Sequence, residues 1–427
     1  MRFFKSIRRT PLFKVTSLNS LSVLVKIFTG LASSKILALM VGPSGLALTG
    51  NLRNFLTSLE GIATLGIQNG VIQQVAASKD KPENVKKMMA TVFTLMLAFS
   101  LLLGIGLMVM ASYINQAIFG QQHFDNLFLI LGLSLPFYIG GMVLTYFING
   151  LGQYQKVIWI NIVGNILVLV FTFWAVAAFK TFGALISLVI PPAILFLFSW
   201  YQLNRIIDFK SYLNPSCFDI AVIQKMSSYA LMTLVSAVGG SWTYLMIRQN
   251  LIELSGIEQA GYWEAMSRIS GFYLLFISTV LTVYFYPKLS AANSVVATRN
   301  IFMSYYKGIL PFFCLGLFVI YLLRQEIIAV CFTKDFSLVS DLFLWQLLGD
   351  LLKAASLILG YQLLAKRLIK VYILTEILSL ILLTLLSYLW MPIYGAKGVV
   401  MAYAADYLIY FLVLFIYFRK SLLSKQL

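Results

Sequence analysis

Acidic residues are scarce in this chain: 15 aspartates and glutamates stand against 32 lysines and arginines in 427 residues, a formal charge of +17. Histidine is represented by His123 alone, and cysteine by Cys217, Cys314 and Cys331. With no cluster at ligand spacing, no metal site is expected, and the cysteines are expected to serve as small buried hydrophobes. No Gly-rich loop ending in Gly-Lys-Ser/Thr occurs, which argues against ATP hydrolysis. Long polar stretches are missing as well. The longest candidate, residues 205–225, contains Pro215 and is too short to fold as a separate domain.

What is present is apolar: 60% of residues are hydrophobic and 11% are charged. No soluble domain has this composition, and the apolar runs are long enough to cross a bilayer. The basic start MRFFKSIRRTPLFK is followed by a run of full helix length with no small-residue cleavage site, so no cleavable signal is expected. At roughly 20 residues per crossing, hydropathy predicts about twelve spans. They centre near Thr29, Leu59, Ala98, Pro136, Leu167, Pro191, Leu234, Leu274, Leu317, Lys353, Leu380 and Tyr407.

The basic residues orient them. With the N-terminus in the cytoplasm and strict alternation, cytoplasmic segments hold 22 lysines and arginines, among them Arg2, Lys5, Arg8, Arg9, Lys79, Lys156, Lys225, Lys370 and Lys425. The opposite side holds 4: Lys180, Arg324, Lys334 and Lys397. Both termini are therefore expected in the cytoplasm. The positive charge reads as an orientation signal rather than a nucleic-acid footprint.

The two halves resemble each other. Gly45-Leu46 pairs with Gly261-Tyr262, Lys156-Val157 with Lys370-Val371, and Phe182-Gly183-Ala184 with Tyr394-Gly395-Ala396, at offsets of 216, 214 and 212. The expected fold is an all-α integral membrane protein, with two six-helix lobes at 1–213 and 214–427. An even number of spans per half makes the repeat parallel, with a pseudo-twofold along the membrane normal, an arrangement suited to alternating access.

Six cations remain inside the spans: Lys26, Lys35, Arg53, Arg248, Arg268 and Lys353. Each would cost roughly 2.5–3.5 kcal/mol at mid-bilayer against lipid. They must line a polar interior, pair with acids or snorkel. A helical membrane protein with a cationic interior is most simply a device for moving an anion. Arg53, Thr57, Glu60 and Thr64 share a helix face, as do Glu264, Arg268, Gly271, Ser278 and Thr282, and Gln346, Asp350, Lys353 and Gly360. Span seven adds Ser241, Tyr244 and Arg248. Glu264 can bridge to Arg268, and Asp350 to Lys353, along their own helices. Arg248 has snorkelling at a helix end as its alternative. Lys26 and Lys35, nine residues apart, cannot share a face of a straight helix. Glu60, Glu264, Asp350, Glu376 and Asp406 are candidate sites for a coupling H+ or Na+; Asp350 is the first choice, because its protonation would free Lys353. Pro136 and Pro191-Pro192 should distort their spans. No cofactor is expected.

The stretch LVKIFTGLASSKILALMVGPSGLALTGNLRNFLTSL, Leu24–Leu59, resembles the opening of bacterial polysaccharide flippases of the multidrug/oligosaccharidyl-lipid/polysaccharide exporter superfamily. LFLWQLLGDLLKAASLILGYQLLAKRLIKVYILTEI, Leu342–Ile377, resembles their tenth and eleventh spans. Within that family the resemblance is to O-antigen translocases and to flippases of enterobacterial common antigen, over about Ser17–Arg419. It implies a flippase rather than an enzyme, in the bacterial inner membrane, working as a monomer. The implied substrate is undecaprenyl pyrophosphate carrying an oligosaccharide unit, moved to the periplasmic leaflet for polysaccharide or lipopolysaccharide synthesis. Polysaccharide polymerase and chain-length proteins would act beside it. The family's cavity cations carry over onto Lys26, Arg53, Arg248 and Arg268. A cation-coupled drug exporter should favour cavity acids over six cations. A lipid II flippase often carries extra helices. A membrane polymerase or ligase needs a larger external loop. These three readings stand as alternatives.

Overall fold

A computed structural model describes residues 11–78, 81–212, 219 and 232–423. Arg2, Lys5, Arg8, Arg9, Lys79, Pro215, Cys217, Lys225 and Lys425 lie outside the described residues. Among those described, the chain is helical and contains no strand.

The first half runs α1 Pro11–Met40, α2 Gly42–Ala63, α3 Gln68–Ala77, α4 Pro82–Val109, α5 Ala111–Phe119, α6 Asp125–Gly150, α7 Tyr154–Ile186 and α8 Ile190–Asn204. The second runs α9 Gly240–Ser255, α10 Ile257–Val280, α11 Val295–Gly308, α12 Leu310–Leu322, α13 Arg324–Cys331, α14 Phe343–Ala365, α15 Ile369–Tyr394 and α16 Ala396–Tyr417. Local chemistry sets the starts. Gly42 breaks the chain at φ 65° and Pro43 opens α2, since proline lacks only an N–H that a first turn leaves unpaired anyway. Pro82 and Pro191-Pro192 open α4 and α8 in the same way. Pro136 sits inside a continuous α6.

Nine helical segments among the described residues are long and apolar enough to cross a membrane. They contain nine of the twelve expected centres. The other three have physical reasons to be less apolar or shorter. Leu59 lies on α2, whose polar stripe dilutes its hydropathy. Pro191 opens the 15-residue α8. Leu234 precedes a π-helical turn, Val235–Gly239, that leads into α9. Large apolar side chains such as Val109, Phe312 and Ile393 are exposed, as lipid-facing residues should be. Cys314 is among the exposed residues, contrary to the expectation of burial, because the α12 surface that carries it faces outward; Cys331 is buried.

The chain divides into two compact units, Met1–Val41 with Asn51–Val238, and Gly42–Gly50 with Gly239–Leu427. The division falls within α2. In the first unit, α6 packs on α4 and α8, and α1 on α7. In the second, α14 packs on α12 and α16, and α9 on α15. The same pairings recur, and the backbone gives their register. Lys180 (φ 50°, ψ −125°) and Gly395 (φ 56°, ψ −135°) make the same break, 215 residues apart. Three residues later Gly183 lies against the Ala175 carbonyl and Gly398 against the Trp390 carbonyl, again 215 apart. The N–H groups of Gly152 and Gln153 bond to Asn149 and Ile148; those of Arg367 and Leu368 bond to Leu364 and Leu363. The repeat is thus real at an offset of 215, and the residue pairs read from sequence slip by one to three positions. Identity had matched Gly183 to Gly395, whereas geometry matches Gly183 to Gly398 and sets a lysine opposite Gly395.

Candidate functional site

The second unit holds a buried ion cluster. Glu264 and Arg268 are one turn apart on α10, so the arginine reaches back along its own helix, and Arg268 Nε donates to Glu264 Oε1 at 3.0 Å. The other oxygen, Oε2, accepts from Arg248 Nη2 on α9 at 2.9 Å. Arg268 Nη2 also donates to Thr49 Oγ1 on α2 at 3.0 Å. Arg248 is 1% exposed and its guanidinium lies 5.0 Å from the Trp263 ring centre. The snorkelling alternative for Arg248 is therefore wrong: an acid and an aromatic face on the neighbouring helix hold it inside. Gly50 makes room for the cluster. A Cβ there would fall 2.5 Å from Glu264 Oε2 and 2.8 Å from Arg248 Cζ.

A second cluster surrounds Asp350 on α14, which is fully buried. Oδ2 accepts from Ser270 at 2.7 Å and from Tyr273 at 2.5 Å. Oδ1 accepts from Tyr403 at 2.7 Å, and Gln346 Nε2 lies 3.3 Å from both oxygens. Four donors thus replace the water a buried carboxylate loses, and bonds to a charged acceptor contribute about 1.5–3 kcal/mol each. The expected Asp350–Lys353 bridge does not form. Lys353 instead stands over two tyrosine rings, 5.6 Å from the centre of Tyr403 and 5.1 Å from that of Tyr407. The hydroxyls and the amide satisfy Asp350 first, which leaves the ammonium to the ring faces.

The remaining candidates lie elsewhere. Asp406, on α16, is buried; Oδ2 accepts from Ser379 at 2.9 Å, while Oδ1 has no hydrogen-bond partner among the described residues. Glu376 is half-buried on α15. In the first unit Glu60 accepts a short hydrogen bond from Tyr138 on α6. Arg53 and Lys35 are half-buried and Lys26 is exposed on an unbroken α1. Arg53 on α2 and Arg268 on α10 stand 215 residues apart, the offset seen in the backbone of the later helices. Among the described residues no group of three or more His, Cys, Asp or Glu could hold a metal ion.

Sequence reasoning named the charges but missed Thr49, Gly50, Tyr138, Ser270, Tyr273, Trp263 and Ser379. Only Gly50, a glycine in the polar middle of α2, carried a local signal.

Comparison with known proteins follows the same line. Residues 12–293 match the family described as Polysaccharide biosynthesis protein. The chain is 32% identical over 402 residues to the lipid III flippase of Escherichia coli K12, covering 94% of this chain and 96% of that one. Among solved structures, an inward-facing multidrug transporter of the MATE family superposes with a TM-score of 0.78 at 15% identity, covering 93% and 94% of the two chains. The lipid II flippase MurJ in an inward closed conformation superposes with a TM-score of 0.73 at 16% identity, covering 96% and 90%. These superpositions show that the chain shares its all-α fold with those proteins.

Proposed function

The chain belongs to the polysaccharide biosynthesis protein family, and from that premise we propose that it flips undecaprenyl-pyrophosphate-linked oligosaccharide units from the cytoplasmic to the periplasmic leaflet of the bacterial inner membrane. One observation supports the reading: Arg53 on α2 and Arg268 on α10 are separated by the 215-residue offset of the backbone repeat. Each offers a guanidinium, and a planar fork of donors is suited to phosphate oxygens. Arg248, held by Glu264 beside Arg268, and Lys26 and Lys35 add positive charge for the same anion. The chemistry is binding and release, with no covalent step. The protein would hand its product to polysaccharide polymerase and chain-length proteins.

Energy would come from an ion gradient acting on a buried acid. Asp406 suits that role better than Asp350. Asp350 is saturated by four donors, whereas Asp406 keeps one oxygen without a partner and so retains capacity for a proton or Na+. Glu60, Glu264 and Glu376 are weaker candidates, the first two because Tyr138 and the arginines already engage them. The test is complementation in a strain deleted for the gene. Arg53→Ala and Arg268→Ala should each abolish surface glycan with the protein still present in the membrane. Normal glycan with both arginines replaced contradicts the proposal.

A further inference from the structure

Between α9, α10, α14 and α16 of the second unit lies a cavity of about 180 Å³, bordered by Tyr244, Trp263, Gln346, Lys353 and Tyr403, with Gly271 also on its wall. That volume is below the about 300 Å³ at which pockets for drug-sized ligands begin, and it suits one sugar ring. The arginine–glutamate cluster does not use this space.

Three features of the wall specify an occupant. First, the wall is aromatic: Tyr244 stacks on Trp263, centres 5.6 Å apart and planes within 8°, with Arg248 also over the Trp263 ring and Lys353 over that of Tyr403, so that Tyr244 carries the ring face no cation engages. Such faces take the C–H side of a ring ligand. Second, the Lys353 ammonium makes no hydrogen bond or ion pair with any described residue; it stands over the Tyr403 and Tyr407 rings, with the Asp350 and Asp406 carboxylates within electrostatic reach. It offers donors. Third, Gln346 is 4% exposed and its Oε1 has no hydrogen-bond partner. The amide cannot be turned to cure this. Its Nε2 faces both oxygens of Asp350, and a flip would set oxygen against carboxylate. Oε1 is therefore a fixed acceptor awaiting a donor, and an unmet buried acceptor costs about 1–3 kcal/mol.

A ligand for this wall needs an apolar face, an acceptor for Lys353 and a donor for Gln346. Pyrophosphate has no apolar face, and its ionised oxygens have no proton for Gln346 Oε1, behind which stands the Asp350 carboxylate. A pyranose has all three: an axial C–H face, hydroxyl oxygens that accept, and hydroxyl protons that donate. We propose that this cavity is a monosaccharide subsite, in which one pyranose ring of the lipid-linked glycan packs on the aromatic wall while its hydroxyls bridge Lys353 and Gln346. Asp350 is then a positioning residue: it fixes the Gln346 amide and, through Tyr403, one wall of the subsite. The proposal rests on the flippase reading and moves Lys353 from the pyrophosphate to the sugar.

The test uses the full chain in lipid nanodiscs and two probes: bare undecaprenyl pyrophosphate, and the lipid-linked glycan extracted from the bacterium that makes this protein. Wild type should bind the glycosylated lipid more tightly than the bare one. Gln346→Met should reduce that ratio about tenfold, the worth of one buried hydrogen bond, and Gly271→Leu, which fills the space, should reduce it at least as much. A Cβ at Gly271 meets no neighbouring side chain or other helix within 4 Å, and an unchanged thermal unfolding curve for Gly271→Leu separates loss of the subsite from misfolding. An unchanged ratio in Gly271→Leu, or equal wild-type affinity for both lipids, overturns the subsite. Failure of wild type to bind either lipid overturns the flippase reading instead.

Discussion

Lys353 stands one helical turn from Asp350 on α14 and makes no ion pair with it. The two residues therefore have separable roles. Asp350→Asn places an amide among Ser270, Tyr273, Tyr403 and Gln346, all of which present hydrogens to it. It should lower stability by about 2–3 kcal/mol. Lys353→Met keeps the packing length and loses the ring contacts and the electrostatic attraction of Asp350 and Asp406, with no hydrogen bond broken, and should cost less than Asp350→Asn does. Thermal unfolding of detergent-purified variants, followed by intrinsic fluorescence, separates them. Equal losses would mean that the pair acts as a bridge after all.

Gly50 should behave as part of the ion cluster although it carries no charge. A methyl group there collides with Glu264 Oε2 and Arg248 Cζ. Gly50→Ala is expected to remove surface glycan as fully as Glu264→Gln does, with membrane protein retained at half the wild-type level or more, judged by immunoblot and glycan gel. Wild-type glycan in Gly50→Ala would show that the cluster tolerates displacement.

The break at Lys180 and the close approach at Gly398, three residues after the equivalent break at Gly395, give stability predictions of opposite sign. A lysine at φ 50°, ψ −125° occupies a region that glycine enters freely and other residues enter at about 1–3 kcal/mol. Lys180→Gly should raise the melting temperature. Gly398→Ala should lower it, because its Cβ would lie 2.5 Å from the Trp390 carbonyl oxygen. No rise in Lys180→Gly would contradict the strained break, and no fall in Gly398→Ala the close approach.

Most of the spans were legible because they depend on short-range chemistry: apolar runs and prolines at helix starts. The repeat was legible in outline and wrong in register, since matching letters slide where backbone geometry does not. Lys180 hid the equivalence with Gly395 by carrying a residue type that the conformation disfavours. In the candidate site, the Glu264–Arg268 bridge could be read from i, i+4 spacing. The partners of Asp350 could not. Tyr403 and Tyr273 reach it from other helices, and a single sequence records no such approach. For the same reason the Asp350–Lys353 pairing, sound as local spacing, lost to tertiary donors. Asp406 was visible as an acid in an apolar span, but its unsatisfied oxygen was not.

The 22 to 4 distribution of basic residues predicts cytoplasmic termini. A fluorescent protein fused after Leu427 should glow and alkaline phosphatase fused there should be inactive. Active phosphatase at that position would reverse the orientation and with it the direction of transport.

The central claim is that this chain moves a lipid-linked glycan across the bilayer through paired arginines, driven through a buried acid. The most direct measurement is the appearance of labelled glycolipid in the opposite leaflet of proteoliposomes, with and without an imposed proton or Na+ gradient. Wild type should flip the lipid, and one of the gradients should change the rate or extent. Arg53→Ala and Arg268→Ala should each slow flipping about a hundredfold, as loss of a charge-assisted contact of about 3 kcal/mol implies, and Asp406→Asn should abolish the response to the gradient. Flipping by the double arginine variant at the wild-type rate, or none by wild type, would contradict the account.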